Sequence, residues 1–377
     1  MDKVEIKNWD DLDLKGDLLR GIYGYGFEKP SEIQKKAIHP IINNQDVIAQ
    51  AQSGTGKTGT FSIASLQVVD TTQKSSQVII ITSTRELAIQ THNVLSNIGM
   101  HLTDLSTKLL IGGTSVNTDV KELSENVPHI VIGTPGRIFD MVKRRKLDLE
   151  TMKLFILDEA DEMLSSCFKD QIKTIFTFFN KDIQTALFSA TLPRDVIELT
   201  NNFMKSPVHL TMKAHELTLD GIEQYFIAAQ DDQHKYESLK DLFNKLPSSQ
   251  SIIFVNGIQR VNDLCEFMEK DGFSVNKIHS SLDKNDRTKV LDDFKKNMFH
   301  ILISSDLTAR GIDIQQISMV VNFDIPNNVN TYLHRIGRSG RWGRKGSAVN
   351  FICQNDVYMM KKIESHYKIN IREFNII

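Results

Sequence analysis

Cysteine is scarce: the chain has three in 377 residues, Cys167, Cys265 and Cys353. They are odd in number and form no CxxC, which argues against a disulfide framework or a cysteine-built zinc site and suits a reducing compartment. No apolar run approaches the length of a membrane span, and the opening Met1-Asp-Lys-Val-Glu5 does not read as a signal peptide. A dominant charge is missing too. The formal net charge is −2, so any nucleic-acid contact has to come from a local basic surface rather than a global field. What is present is globular: 40% apolar and 24% charged residues, over a length that exceeds one ordinary core and predicts two domains.

The most informative stretch is Ala51-Gln52-Ser53-Gly54-Thr55-Gly56-Lys57-Thr58. It follows the short apolar run Asp46–Gln50 and precedes a helix-like run from Gly59 to Val69. Strand, glycine turn, helix is the context of a phosphate-binding loop. Gly54 and Gly56 let the backbone bend where a Cβ would clash. The freed amides and the helix N-terminus then face a polyphosphate. Lys57 can reach the β- and γ-phosphates, and the Thr58 hydroxyl can ligate Mg²⁺. The usual first glycine is Ala51 here, and a glycine turn with no ligand is the plainer alternative. Upstream, Ser31 after Pro30 is a helix N-cap with Gln34 at the capping-box position. The same Gln34 amide could instead pair with N6 and N7 of adenine while Phe27 stacks on the base.

Beyond the loop, branched apolar runs alternate with helical ones. Val78–Thr82, Lys108–Gly112, His129–Gly133, Leu154–Leu157 and Thr185–Ser189 read as buried parallel strands. Arg85–Asn97 and Gly136–Lys146 read as crossover helices. This predicts a doubly wound α/β domain, whose ligands sit at the carboxyl ends of strands. There Asp158 can hold Mg²⁺ and Glu159 can orient or deprotonate a water; an acidic first turn of a helix is the alternative. Ser189-Ala-Thr191 could relay loss of the γ-phosphate or simply cap a helix. The loops carrying Arg85, Gly113, and Thr134 with Arg137 suit a phosphodiester backbone, though each alone reads as a plain turn. Near Met212 to Gly221 the pattern loosens, and a second α/β series follows, with strands expected at Ile222–Ala229, Ser251–Val255, Ser274–His279, His300–Ser305, Met319–Asp324 and Ser347–Ile352. Its arginines at 335, 338, 341 and 344 recur every third residue among glycines, as a basic patch or as arginine fingers for a γ-phosphate.

Taken in order, Gly26–Gln34, AQSGTGKT, STRELA, GG, TPGR, DEAD, SAT, ARGID and HRIGRSGR resemble the DEAD-box ATP-dependent RNA helicases, from about Trp9 to about Tyr367. The resemblance implies an α/β protein of two tandem RecA-like parallel-sheet domains joined by a short flexible linker. Residues 1–45 would be an adenine-recognition segment of the first domain, 46–212 the ATP-binding domain, 213–221 the linker and 222–377 the C-terminal domain. It implies ATP and Mg²⁺, with Phe27 and Gln34 at the adenine, residues 51–58 at the phosphates, Thr58 and Asp158 around the metal, Glu159 as base and Asp313 on the ribose. Lys57, Arg338 and Arg341 would complete the catalytic set, and Ser189 and Thr191 would couple hydrolysis to RNA. Arg85, Gly113, Thr134, Arg137, Arg287 and Ser305 would lie along the RNA backbone.

The implied activity is closure of the domains on single-stranded RNA with local duplex unwinding, in translation initiation; the alternative is an RNA clamp or scaffold in mRNA processing or ribosome assembly. Implied partners are RNA and a scaffold protein bridging both domains, for a monomer without membrane contact, cytoplasmic or alternatively nuclear. Two positions depart from the family pattern. Ser83 stands where proline is usual, which is expected to loosen the turn presenting Arg85. Lys284 stands where glutamine is usual, which weakens the expectation for Arg287.

Overall fold

A run such as Val78-Ile-Ile-Ile-Thr82 cannot turn a face to water, and all five residues are buried in a sheet covered on both sides. The computed structural model describes residues 6–51, 54–165, 168–212, 222–245, 250–306, 317–339 and 346–374. The expected linker at 213–221 lies outside the described residues. The chain divides into two units, Met1–Met212 and Lys213–Ile377.

The first unit begins with a short 3-10 turn, Trp9–Leu12, then runs α1 (Gly16–Gly24), α2 (Glu32–Ile42), β1 (Val47–Gln50), α3 (Lys57–Val68), β2 (Val78–Thr82), α4 (Arg85–Ile98), β3 (Thr107–Leu110) and α5 (Val116–Glu125). It continues through β4 (Ile130–Gly133), α6 (Pro135–Lys143), β5 (Leu154–Asp158), α7 (Ala160–Ser165), α8 (Lys169–Phe176), β6 (Gln184–Ser189), α9 (Arg194–Phe203) and β7 (Val208–Thr211). The sheet order is β3-β4-β2-β5-β6-β1-β7, with parallel pairings throughout.

The second unit runs β8 (Ile222–Ala228), α10 (Asp232–Lys245), β9 (Ser251–Phe254), α11 (Ile258–Lys270), β10 (Val275–Ile278), α12 (Lys284–Lys295) and β11 (Ile301–Ser304). Then come β12 (Met319–Asn322), α13 (Val329–Ile336), β13 (Gly346–Ile352), α14 (Val357–Tyr367) and β14 (Arg372–Glu373). Its order, β10-β11-β9-β12-β13-β8-β14, is the first unit's order repeated strand for strand. These are two RecA-like doubly wound sheets.

Apolar packing fixes the elements that carry the candidate site. Phe61 of α3 meets Phe188 of β6 edge-on at 5.2 Å, which seats the phosphate-loop helix on the sheet. Helix α1 closes on α4 at Gly21, where a Cβ would lie 1.8 Å from the Ile98 carbonyl oxygen.

Some boundaries differ from the sequence expectation. Helix α6 stops at Lys143 rather than Lys146, because Arg145 takes a φ of +55°. The Arg145 and Lys146 amides turn back onto the Val142 and Met141 carbonyls at 2.9 Å each. Strands β7 and β14 were not anticipated. The first is a half-exposed edge strand and the second has two exposed residues, so neither carries the buried aliphatic run that marks the others.

Candidate nucleotide and nucleic-acid site

The phosphate loop leaves the sheet where β1 ends, and the Ala51 amide donates to the Ser189 carbonyl of β6 at 2.9 Å. Gly54 and Gly56 have φ of +85° and +100°, backbone that a side chain adopts only with strain. Gly56 is the N-cap of α3, so the first helical amides from Lys57 onward open toward the loop. Lys57 is buried, and its Nζ donates to the Ala51 carbonyl at 2.8 Å, across the loop. Thr58 is half-buried on the first turn. Gln52 and Ser53 lie outside the described residues.

Residues of the preface roof this loop. The Ser31 hydroxyl donates to the Thr55 carbonyl at 2.9 Å. Gln34 Oε1 accepts from the Ser31 amide at 2.7 Å, and its Nε2 donates to the Gly56 carbonyl at 3.4 Å. The capping arrangement therefore forms, yet a carboxamide carries two N–H donors and two lone pairs, so one of each remains for a base edge. The fit is tight: a Cβ on Gly59 would stand 2.7 Å from Gln34 Nε2 and 3.0 Å from the Phe27 ring. Phe27 is half-buried. Trp9 donates its indole N–H to the Phe27 carbonyl at 2.9 Å and stacks on its ring at 6.2 Å, while Tyr25 meets it edge-on at 5.0 Å. Trp9 was not singled out from sequence; its only signal there was one large ring in a polar segment.

At the end of β5, parallel register sets Asp158 beside Thr82 of β2 and Phe188 of β6. Burial pushes the Asp158 carboxyl up to about 7, against the pull of the Lys57 charge and with Glu159 and Asp161 adding to the rise. Glu159 sits in the left-handed region at φ +56°. Its amide donates to Asp158 Oδ1 at 3.0 Å, and its carboxylate accepts the Ser83 hydroxyl at 2.6 Å, both side chains buried.

Asp161, on α7, accepts the Thr191 hydroxyl at 2.6 Å and the Thr191 amide at 3.2 Å. Its own amide donates to the Ser189 hydroxyl at 3.3 Å, which in turn donates to the Thr191 carbonyl at 2.6 Å. The N-cap of α9 is Pro193, so neither hydroxyl caps that helix. Asp161 was legible only as the last letter of DEAD and was given no role; here it bolts the Ser189–Thr191 loop to the first turn of α7.

The predicted RNA-facing loops also gather at carboxyl strand ends. Arg85 is the first residue of α4, behind the N-cap Thr84, whose hydroxyl accepts from the Leu87 amide. Gly113 is exposed with φ +87°. Thr134 is the N-cap of α6. Arg137 is buried, and its guanidinium is committed to its own chain: it ion-pairs with Asp119 and donates to the Thr114 hydroxyl at 2.7 Å and carbonyl at 2.8 Å. It braces the Gly112–Thr114 loop against α6, a role the sequence reading did not give it.

In the second unit Arg287 is half-buried on α12, and the carbonyl of buried Ser305, just past β11, accepts the Ser304 hydroxyl at 3.0 Å. Arg338 is buried and its Nε donates to the His334 carbonyl at 3.2 Å. Asp313 and Arg341 lie outside the described residues. Arg335, legible only as part of a basic run, is an internal brace. It holds Asp306 at 2.5 and 2.8 Å, Asn256 at 2.6 Å and the Asp324 carbonyl at 2.6 Å.

A phosphate loop after the first strand, an acid pair after the fifth and a second sheet of the same order define a tandem RecA-like, nucleotide-using protein. The chain belongs to the DEAD/DEAH box helicase family, which it matches over residues 31–199. Residues 234–343 match the helicase conserved C-terminal domain. Among its relatives, the ATP-dependent RNA helicase eIF4A of Candida glabrata is 48% identical over 372 residues, covering 99% of this chain and 93% of that protein. Eukaryotic initiation factor 4A of Caenorhabditis elegans is 47% identical over 368 residues, covering 98% and 91%. Among solved structures, S. cerevisiae Dbp5 bound to RNA and ADP BeF3 superposes with a TM-score of 0.90 at 33% identity, covering 98% of this chain and 96% of that one. Mss116p bound to ssRNA and AMP-PNP gives 0.90 at 28% identity, covering 100% and 81%.

Proposed function

We infer that this chain is an ATP-dependent RNA helicase of the initiation-factor 4A type, hydrolysing ATP to ADP and phosphate when RNA is bound. The observation that carries the reading is the meeting, in the first unit, of a phosphate loop, an acid pair and a hydroxyl relay. Lys57 lies on the loop, Glu159 follows Asp158 at the next strand end but one, and Asp161 bolts down Ser189 and Thr191. Lys57 and the α3 amides hold the β- and γ-phosphates. Phe27 stacks on the base and Gln34 reads its edge. Glu159 orients and deprotonates the attacking water. Arg338 and Arg341 are read as arginine fingers and Asp313 as the ribose contact.

Mg²⁺ fits this donor set. Asp158 is a buried carboxyl that its surroundings push toward neutrality, so a nearby cation would relieve it, and Thr58 offers a hydroxyl. Among the described residues no three His, Cys, Asp or Glu side chains group as an ion cage. The ion would therefore be held by Thr58, Asp158, water and the phosphates, as Mg²⁺ prefers, and it would neutralise charge on the transferred group.

RNA is held by its phosphates without base specificity through Arg85, Gly113 and Thr134 in the first unit and Arg287 and Ser305 in the second, with Arg137 bracing the first set. The pathway best supported is translation initiation in the cytoplasm, as a monomer working with a scaffold protein; the similarity to initiation factor 4A supports this. The test is ATP hydrolysis with and without single-stranded RNA, run beside strand separation of a short RNA duplex. RNA-stimulated hydrolysis with unwinding supports the reading. Stimulation without unwinding would replace it by an RNA clamp, and no stimulation would overturn it.

A further inference from the structure

We propose that Ser83 is a positioning residue for the ATPase reaction, holding the Glu159 carboxylate with a hydrogen bond that the proline usual at this place in the family could not make. This rests on Glu159 being the base. The geometry follows from strand register. Thr82 and Asp158 are the last paired residues of β2 and β5, so the next residue of each chain, Ser83 and Glu159, steps off the sheet side by side. Glu159 leaves β5 with a φ of +56°, and its carboxylate accepts the Ser83 hydroxyl at 2.6 Å with both side chains buried.

A buried carboxyl oxygen deprived of its donor loses a hydrogen bond that water is not there to replace. The Ser83 hydroxyl fixes one carboxylate oxygen, Oε2. The expected loosening of the turn by the loss of proline is therefore replaced by a tie. That tie also has a direction. Ser83 is followed by Thr84, the N-cap of α4, and by Arg85, the residue read as touching RNA. A phosphate that draws on Arg85 pulls on the same short loop whose hydroxyl holds the base, so RNA engagement and base alignment share one mechanical link.

The test uses the full chain with saturating single-stranded RNA, measuring steady-state kcat and KM for ATP and single-turnover hydrolysis. Ser83→Ala should lower kcat roughly tenfold, less than the ~10²-fold that a 1 Å misplacement can cost, with KM for ATP within about twofold. Ser83→Thr, which keeps a hydroxyl, should recover most of the rate. In a Glu159→Gln background Ser83→Ala should cause little further loss, because the tie then has no base to align. The proposal is overturned if Ser83→Ala turns over like wild type, if its effect is equally large in the Glu159→Gln background, or if Ser83→Thr is as slow as Ser83→Ala with the same drop in melting temperature. A Glu159→Gln single variant that hydrolyses at the wild-type rate would instead remove the reading of Glu159 as base.

Discussion

The two sheets have the same strand order, and the strand ends that build a site in one build a brace in the other. In the first unit the strand that carries the acid, β5, ends in Asp158, buried and pushed up to about 7, with the charge of the phosphate-loop Lys57 pulling the other way. In the second unit the equivalent strand, β12, leads into Asp324. There Arg260 closes on the carboxylate with bonds of 2.6 and 2.7 Å, and the Asn256 amide adds another at 2.9 Å. The first strand shows the same contrast. β1 opens into a glycine loop with positive φ, whereas β8 leads within a few residues into α10. The scaffold sets where a side chain can act. Whether an acid at that place is chemistry or structure depends on whether its own chain supplies the cation.

The largest effect should break the symmetry outright. Glu159→Gln should cut RNA-stimulated ATP hydrolysis by about 10²- to 10⁴-fold, the usual contribution of a positioned base, while ATP and RNA binding persist. Asp324→Asn, at the acid that follows the equivalent strand of the second sheet, should leave kcat within a few-fold and instead lower stability. Turnover and denaturant unfolding measured on both variants decide it; equal losses of turnover would mean that the two acids are not doing different work.

The second prediction concerns sign. The folded protein binds a proton at Asp158 more tightly than the unfolded chain does, with the carboxyl raised from its ordinary value near 4 to about 7. Stability from this group is complete below about pH 4 and is lost as pH rises through about 7. The loss amounts to at most about 4 kcal/mol at the upper end. In metal-free, nucleotide-free protein, Asp158→Asn should match wild type near pH 4 and exceed it in stability near pH 8. Mg²⁺ with ATP should erase the difference. Parallel pH profiles for the two proteins would contradict the assignment.

The fold was more legible than the site. Both sheets could be read because their inner strands are continuous runs of branched aliphatics, and burial on both faces demands such runs. The edge strands β7 and β14 escaped because an edge needs no such run. Motif residues were legible by type, but their partners were not. Nothing in the sequence says that Arg137 faces Asp119, that Asp161 reaches Thr191, or that Ser83 reaches Glu159. Each of those pairs joins segments that only strand register brings together. Arg335 misled in the other direction: spacing put it in a basic run, whereas packing put its guanidinium inside the unit.

The third prediction weighs the brace. Arg260→Ala should destabilise the second unit by about 2 kcal/mol, a low figure for a pair with a buried acid. The reason is that the arginine side chain is 39% exposed and part of its attraction is already screened by water. KM for ATP should not move. Asp324→Asn combined with Arg260→Ala should cost less than the sum of the two single changes, since each removes the other's partner.

The smallest expected effect separates the two roles of Gln34. Glutamate is the other residue that completes a capping box, so Gln34→Glu keeps an oxygen for the Ser31 amide, bonded now at 2.7 Å, and gains slightly from the helix dipole. It loses the N–H that donates to Gly56 at 3.4 Å and the donor that an adenine N7 would accept. If Gln34 only caps α2, unfolding and KM should both stay near wild type. If it also reads the base, stability should hold while KM for ATP rises about fivefold, the ~1 kcal/mol low end of what one base-edge contact is worth. The preference for ATP over GTP should shrink with it. The second unit offers the control, because the glutamine in the first turn of α10, Gln233, is exposed and its Nε2 donates to Glu237 at 3.2 Å. An isosteric change there, Gln233→Glu, should alter neither KM nor nucleotide preference, and a shift in either would mean that the adenine is read from somewhere other than the roof of the phosphate loop.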